Sequence, residues 1–116
     1  MTWGPYAGYE PLAQALTKEF GTEFGMWDTG GGCMVIGATL ENGWEVMIGS
    51  AVDGPLIPYG EHVRVPGGFN CGVYAGDDSG TNMIGWGKDC DASSPADVAG
   101  LIRSTLAEAI KNPIRQ

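Results

Sequence analysis

The chain has 116 residues, with 14 acids against 6 bases, a formal net charge of −8, 43% hydrophobic residues and 17% charged ones. That length favours one domain that can bury a core without obligatory disulfides or metal, and the balance excludes a disordered chain. The acidity opposes the charge neutralisation that drives nucleic-acid binding, and no apolar run approaches the roughly 18 residues of a membrane span, so neither nucleic acid nor membrane is an expected partner. The charge is uneven. Residues 97–116 hold Asp97 and Glu108 against Arg103, Lys111 and Arg115, a net of +1, which leaves −9 for residues 1–96. The acids are scattered, so solubility is the plainer reading and an acidic face for a basic partner the sharper one.

Met1 to Tyr9 lacks the basic and apolar regions of a signal peptide. It reads as an N-terminal arm carrying Trp3, Tyr6 and Tyr9. Exposed aromatics of this kind mark an interaction surface, and packing of the arm back onto the sheet is an equal alternative.

Residues 11–20 predict the first helix. Leu12, Ala13, Leu16 and Phe20 recur at three- and four-residue spacing, Pro11 suits the first turn, and Gly21 can end the helix in the left-handed conformation. Residues 22–28 predict a strand with Phe24 and Met26, followed by the break at Thr29-Gly30-Gly31-Gly32.

Residues 33–50 predict a hairpin with two open registers. A tight Asn42-Gly43 turn would pair Glu41 with Trp44 and mix apolar and polar residues on each face. A longer loop, Glu41-Asn42-Gly43 with Gly43 left-handed, pairs Leu40 with Trp44. It gathers Met34, Ile36, Ala38, Leu40, Trp44, Val46 and Ile48 on one face and leaves Glu45 and Met47 on the other. A one-residue slip exchanges the faces, so this separation selects the longer loop.

Residues 51–70 are interrupted by Gly54-Pro55, Pro58 and Pro66-Gly67-Gly68. Glu61 to Val65 predicts a short edge strand, with Val63 and Val65 inward and His62 and Arg64 outward. Strands at 71–76 and 82–88 flank the turn chemistry of Asp77-Asp78-Ser79-Gly80. A four-residue loop there sets Val73 opposite Ile84 and Cys71 opposite Trp86, with Trp44 and Trp86 in the core.

The last helix is the best-signalled element. Ser94 is an N-cap, Pro95 a first residue and Asp97 a capping-box acid. Val98, Leu101, Ile102, Thr105, Leu106, Ala109 and Ile110 predict the buried stripe, and Asn112-Pro113 the stop. The fold class is therefore α+β: one mainly antiparallel sheet of about four to five strands packed against an N-terminal and a C-terminal helix. Residues 1–116 form a single domain, with 1–9 as the arm and 111–116 as a short tail.

No catalytic, cofactor or metal signature is strong. Cys33, after three glycines, is a low-weight nucleophile with His62 as base, against the plain reading of a buried strand cysteine. A metal site from Cys33, His62, Cys71 and Cys90 lacks any close ligand pair. The glycine run lacks the Gly-Lys-Ser/Thr ending of a phosphate loop and leads into a strand, and Asp77 to Asn82 lacks a calcium loop's alternating ligands. The odd cysteine count without Cys-x-x-Cys spacing points to reduced thiols and a cytoplasmic protein.

The stretch Trp27-Asp28-Thr29-Gly30-Gly31-Gly32-Cys33-Met34, followed by an apolar strand, Glu41-Asn42-Gly43 and a second strand, resembles a group of small acidic proteins of actinobacteria and their bacteriophages. Gly72-Val73-Tyr74 and the Ser/Ala-rich start of the last helix fit the same pattern. Ile48-Gly49-Ser50 departs from the acidic residue that often ends the second strand there. The resemblance implies an accessory role in phage or host, in the host cytoplasm if phage-encoded, and no activity or site residue.

The expectation is a non-catalytic protein that binds a host or self protein, without cofactor, and modulates a host factor. The alternatives are a small enzyme or ligand-binding domain using Cys33 near the Gly30–Gly32 loop, and an acidic DNA-mimic or structural protein.

Overall fold

The computed structural model describes residues 3–51, 54–64, 67–75 and 83–114. A 3-10 helix, Gly4–Tyr9, runs directly into α1, Glu10–Phe20. Strands β1, Gly25–Asp28, β2, Met34–Thr39, and β3, Glu45–Ser50, follow. The short helix α2, Tyr59–Arg64, leads to β4, Phe69–Tyr74, β5, Met83–Asp89, and α3, Pro95–Lys111. The strands form one antiparallel sheet in the order β1-β2-β3-β4-β5. The architecture is α+β, with helices at both ends of the chain.

The local chemistry explains most boundaries. Gly21 ends α1 at φ 67°, its N–H reaching the Thr17 carbonyl. Ser94 and Asp97 close a full capping box at the start of α3. The N–H groups of Ser93 and Ser94 hold the Asp97 carboxyl below the usual carboxylate range. In the β2–β3 hairpin Ile36 faces Ile48 and Ala38 faces Val46. The Leu40 N–H bonds the Trp44 carbonyl and Gly43 sits at φ 89°, which is the longer loop and the face-separating register.

Cross-strand pairing carries that register across the sheet. Ile36, Ile48, Cys71 and Gly87 stand in one row, and Ala38, Val46, Val73 and Gly85 in the next. Onto this face pack Leu12, Ala13 and Leu16 of α1 and Val98, Leu101, Ile102 and Ala109 of α3. Tyr9 belongs to the same core at 1% exposure, its ring edge-on to Phe69 and its hydroxyl donating to the Ile57 carbonyl at 2.6 Å. Desolvation by burial lifts that phenol to about 12. The arm is thus a packed helix: Tyr9 has no surface to offer a partner, and Trp3 and Tyr6 lie half-buried against the core.

Four expectations are corrected. Residues 61–64 form helix α2, not an edge strand, because Pro58 opens it: its carbonyl accepts the N–H groups of Glu61 and His62. Val63 is 60% exposed, and His62 turns inward against Phe69, with ring centroids 4.8 Å apart. The second hairpin is slipped by one residue from expectation. Val73 faces Gly85 and Gly72 faces Trp86, with a register irregularity between Val73 and Tyr74. Trp86 therefore leaves the core for the opposite face. Ile110, expected in the buried stripe, is 72% exposed because it lies past the edge of the α3 contact face. The expected inward Val65 and the Asp77–Gly80 turn lie outside the described residues.

The slip has a steric cause. A Cβ on Gly85 would stand 2.8 Å from the Ala109 Cβ, and one on Gly87 2.6 Å from the Thr105 Oγ1. Both are closer than packed atoms approach, so α3 lies against bare backbone and only glycine fits beneath it. The exposed Glu19–Arg103 ion pair ties α1 to α3, and the Arg103 guanidinium lies 4.9 Å from the Phe20 ring centroid. Exposed pairs of this kind contribute at most about 1 kcal/mol, so apolar burial dominates the helix contact.

Ile102, fully buried in α3, should lose about 2–5 kcal/mol on replacement by Ala, whereas Ile110→Ala should stay within about 0.5 kcal/mol. Urea melts of the two variants separate these cases. Equal losses would mean that α3 is rotated from this placement.

Candidate functional site

The face of the sheet opposite the helices carries its own apolar layer. Gly37, Met47, Gly72 and Trp86 stand in one cross-strand row. Two of these glycines form a floor on which rings lie. A Cβ on Gly37 would meet the Trp27 indole at 2.2 Å, and one on Gly72 would meet the Tyr74 ring at 2.8 Å. Beneath the rings Val35 and Met47 are 7% and 6% exposed, although among the described residues no helix covers this face. Trp86 stays 45% exposed.

These residues bound a groove of about 370 Å³. Val35 and Met47 line it with Tyr74 and Trp86, and Thr29, Cys33, Gly54, Pro55 and Asn70 complete the rim. The Asn70 amide is spent on the backbone: its nitrogen donates to the Ser50 and Gly54 carbonyls and its oxygen accepts from the Gly49 N–H. It therefore ties Gly54 to Ser50 and leaves the groove wall largely apolar. A second hollow of about 450 Å³ lies beside it, lined by Met26 to Thr29 and Met47.

The glycine run turns out to be the β1–β2 connection. Gly30, Gly31 and Gly32 all have positive φ, at 116°, 61° and 82°, a sequence of conformations that side chains rarely adopt. The Thr29 N–H and hydroxyl both donate to the Cys33 carbonyl, at 2.8 and 3.1 Å. This closes the turn and sets Cys33 at the groove rim, exposed.

Cys33 and His62 do not meet. His62 lies on the helix side, in an aromatic cluster with Tyr9, Tyr59 and Phe69, beside a hollow of about 180 Å³. The sheet stands between them, so His62 cannot serve Cys33 as a base. Cys71 is buried in the core, where desolvation pushes its thiol up to about 12 against a side-chain hydrogen bond with Thr105. Cys90, at the end of β5, is exposed. Among the described residues no group of three or more His, Cys, Asp or Glu side chains converges as a metal site, and no helix is long and apolar enough to cross a membrane.

Sequence reading did not find the groove. Its signal was Gly85-Trp86-Gly87, in which alternate glycines mark one strand face as a close-approach surface and so send the tryptophan to the other. Comparisons of the chain with protein-family models, with curated proteins and with solved structures find no match.

Two outcomes test this placement. A disulfide-exchange reagent should titrate two thiols rapidly in the native protein, Cys33 and Cys90, and a third only on unfolding. Three rapid thiols would mean that Cys71 is not under α3. His62, the one histidine of the chain, should titrate by proton NMR below 6.5, because burial disfavours its charged form. The unfolded chain takes that proton near 6.5, so the stability His62 supports is complete above this pH and falls as the pH drops towards the folded-state value. A midpoint at or above 6.5 would place His62 in solvent.

Proposed function

We propose that this is a non-catalytic accessory protein that acts by protein–protein interaction through the helix-free face of its sheet. The observation that carries the reading is Trp86, 45% exposed between two glycines, above a groove with an apolar floor. Tryptophan and tyrosine supply large, rigid contact area and concentrate at interface hot spots. A chain that needed Trp86 only for stability would bury it, yet the helix side excludes it.

The net charge of −8 favours a basic partner over nucleic acid, since neutralising phosphates requires cations that this chain has in small number. The likeness of the Trp27–Met34 segment to small acidic proteins of actinobacteria and their bacteriophages supports an accessory role that modulates a host factor. Three unpaired cysteines support a reducing, cytoplasmic setting.

A second reading rests on a separate observation: exposed Cys33 shares the groove with Tyr74 and Trp86. A groove of about 370 Å³ is also within the size of small-ligand sites, which span roughly 300–1,000 Å³. A thiol that serves such a ligand should label faster than Cys90 and be protected when the groove is filled.

The main reading is tested by capture from host lysate with three forms of the protein. Wild type and Ile110→Ala, altered on the exposed side of α3, should retain the same partner. Trp86→Ala should lose it by about tenfold or more, as expected for a hot-spot aromatic, with an unchanged melting temperature. Retention by Trp86→Ala would remove this face from the interaction.

A further inference from the structure

Two strands form the edges of the sheet, β1 with four residues and β5 with seven. In an antiparallel ladder, alternate residues of an edge strand turn both backbone groups towards the neighbour, and the others turn theirs outward. Ile84 is of the outward kind: its carbonyl accepts the N–H of Ile114 at 2.9 Å, from the segment that follows α3. The Leu40–Trp44 rung turns the backbone groups of Trp44, Val46 and Ile48 towards β2, so Met47 and Gly72 turn theirs to each other. Trp86, opposite Gly72, therefore directs its N–H and C=O away from β4, as does Lys88 opposite Asn70. The chain's own tail thus makes one rung of an added strand at the Ile84 end of β5. Beyond that rung the edge presents the backbone of Trp86 and Lys88 beside the Trp86 indole, a template for a further strand.

Among the described residues at this end of the edge, Asp89 and Asp91 stand against Lys88, within a chain of net charge −8. A second copy would bring −8 against −8, whereas a positively charged segment is attracted by the chain as a whole. We infer that the outward edge of β5 from Trp86 to Asp89 seats an extended, basic segment of a partner protein, added to the sheet as a further strand. This rests on the reading of the helix-free face as a protein contact surface and names the partner's chemistry and manner of docking. Main-chain hydrogen bonds to Trp86 and Lys88 supply affinity, and the segment's side chains beside the Trp86 indole supply selection.

The full-length protein, labelled with nitrogen-15, is titrated with short synthetic peptides of alternating Lys and Val, of alternating Glu and Val, and of Lys and Val methylated on alternate backbone nitrogens. The Lys-Val peptide is expected to shift the Trp86 and Lys88 amides saturably and to bind several-fold more weakly as salt rises. The Glu-Val and methylated peptides are expected to leave those amides unmoved. Lys88→Pro removes one outward N–H at a position where an edge strand tolerates proline, and should weaken the Lys-Val peptide about fivefold to tenfold. The methylated peptide gives the same test without altering the protein, should that variant fail to fold.

Equal binding of the acidic or methylated peptide, shifts confined to α1 and α3, or no shift at all would overturn the inference. So would concentration-dependent shifts of Trp86 and Lys88 without peptide, accompanied by dimer in sedimentation, since the occupant would then be a second copy. These outcomes leave the contact reading of the face standing if Trp86→Ala still abolishes partner capture. If Trp86→Ala retains the partner, the reading itself fails.

Discussion

The close approach of α3 to the backbone of β5 is the constraint from which the two faces of this sheet take their character. Ala109 and Thr105 stand where Cβ atoms of Gly85 and Gly87 would have to be. Strand side chains alternate, so glycines on the inner face commit Trp86 to the outer one. The same parity runs through β4 and β3, where Cys71, Val73, Val46 and Ile48 all point to the helices. Gly37, Gly72 and Met47 then lie outside, and the rings of Trp27 and Tyr74 settle on the glycines. A core requirement on one side of the sheet thereby produces an aromatic groove on the other.

The helix side is tied together by aromatic packing more than by charge. Tyr9 joins the start of α1 to β4 and, through its hydroxyl, to residue 57 of the segment that crosses from β3 to β4. Helix α2 has no buried residue and is held by Tyr59 against Gly8 and by His62 against Phe69. Elements with so few buried contacts open at lower free energy than the core strands. The groove is built mainly on β2 to β5, with Gly54 and Pro55 at its rim, so its floor does not depend on α2.

Parts of this arrangement were legible in the sequence for stated physical reasons. The β2–β3 register followed from Asn42-Gly43 and from the separation of Ile36 and Ile48 from Glu45 and Met47, since only one loop length achieves it. Ser94, Pro95 and Asp97 marked the start of α3 through capping chemistry that is local and therefore readable. The β4–β5 register was not legible from turn chemistry, because its irregularity at Val73 and Tyr74 shifts the pairing by one residue. Hydrophobicity placed Trp86 inside, whereas the absent side chains of Gly85 and Gly87 were the informative feature. Residues 61–65 misled through the apparent alternation of Val63 and Val65. The helix there depends on the Pro58 carbonyl and on packing of His62 and Tyr59 against distant residues, which no local pattern reveals. Cys33 and His62 are plausible partners as residue types, and only the intervening sheet separates them.

Which residue of β4 stands opposite Trp86 decides the character of both sheet faces, and proton NMR of the folded protein reads this directly. Because the Trp86 backbone groups face away from β4, its pair is of the non-hydrogen-bonded kind, in which Cα atoms lie about 4.5 Å apart and Hα atoms approach closely. A strong Hα–Hα cross-peak between Gly72 and Trp86 is the expected result. A cross-peak pairing Cys71 with Trp86 would contradict it, returning the indole to the space beneath α3 and removing the groove with it.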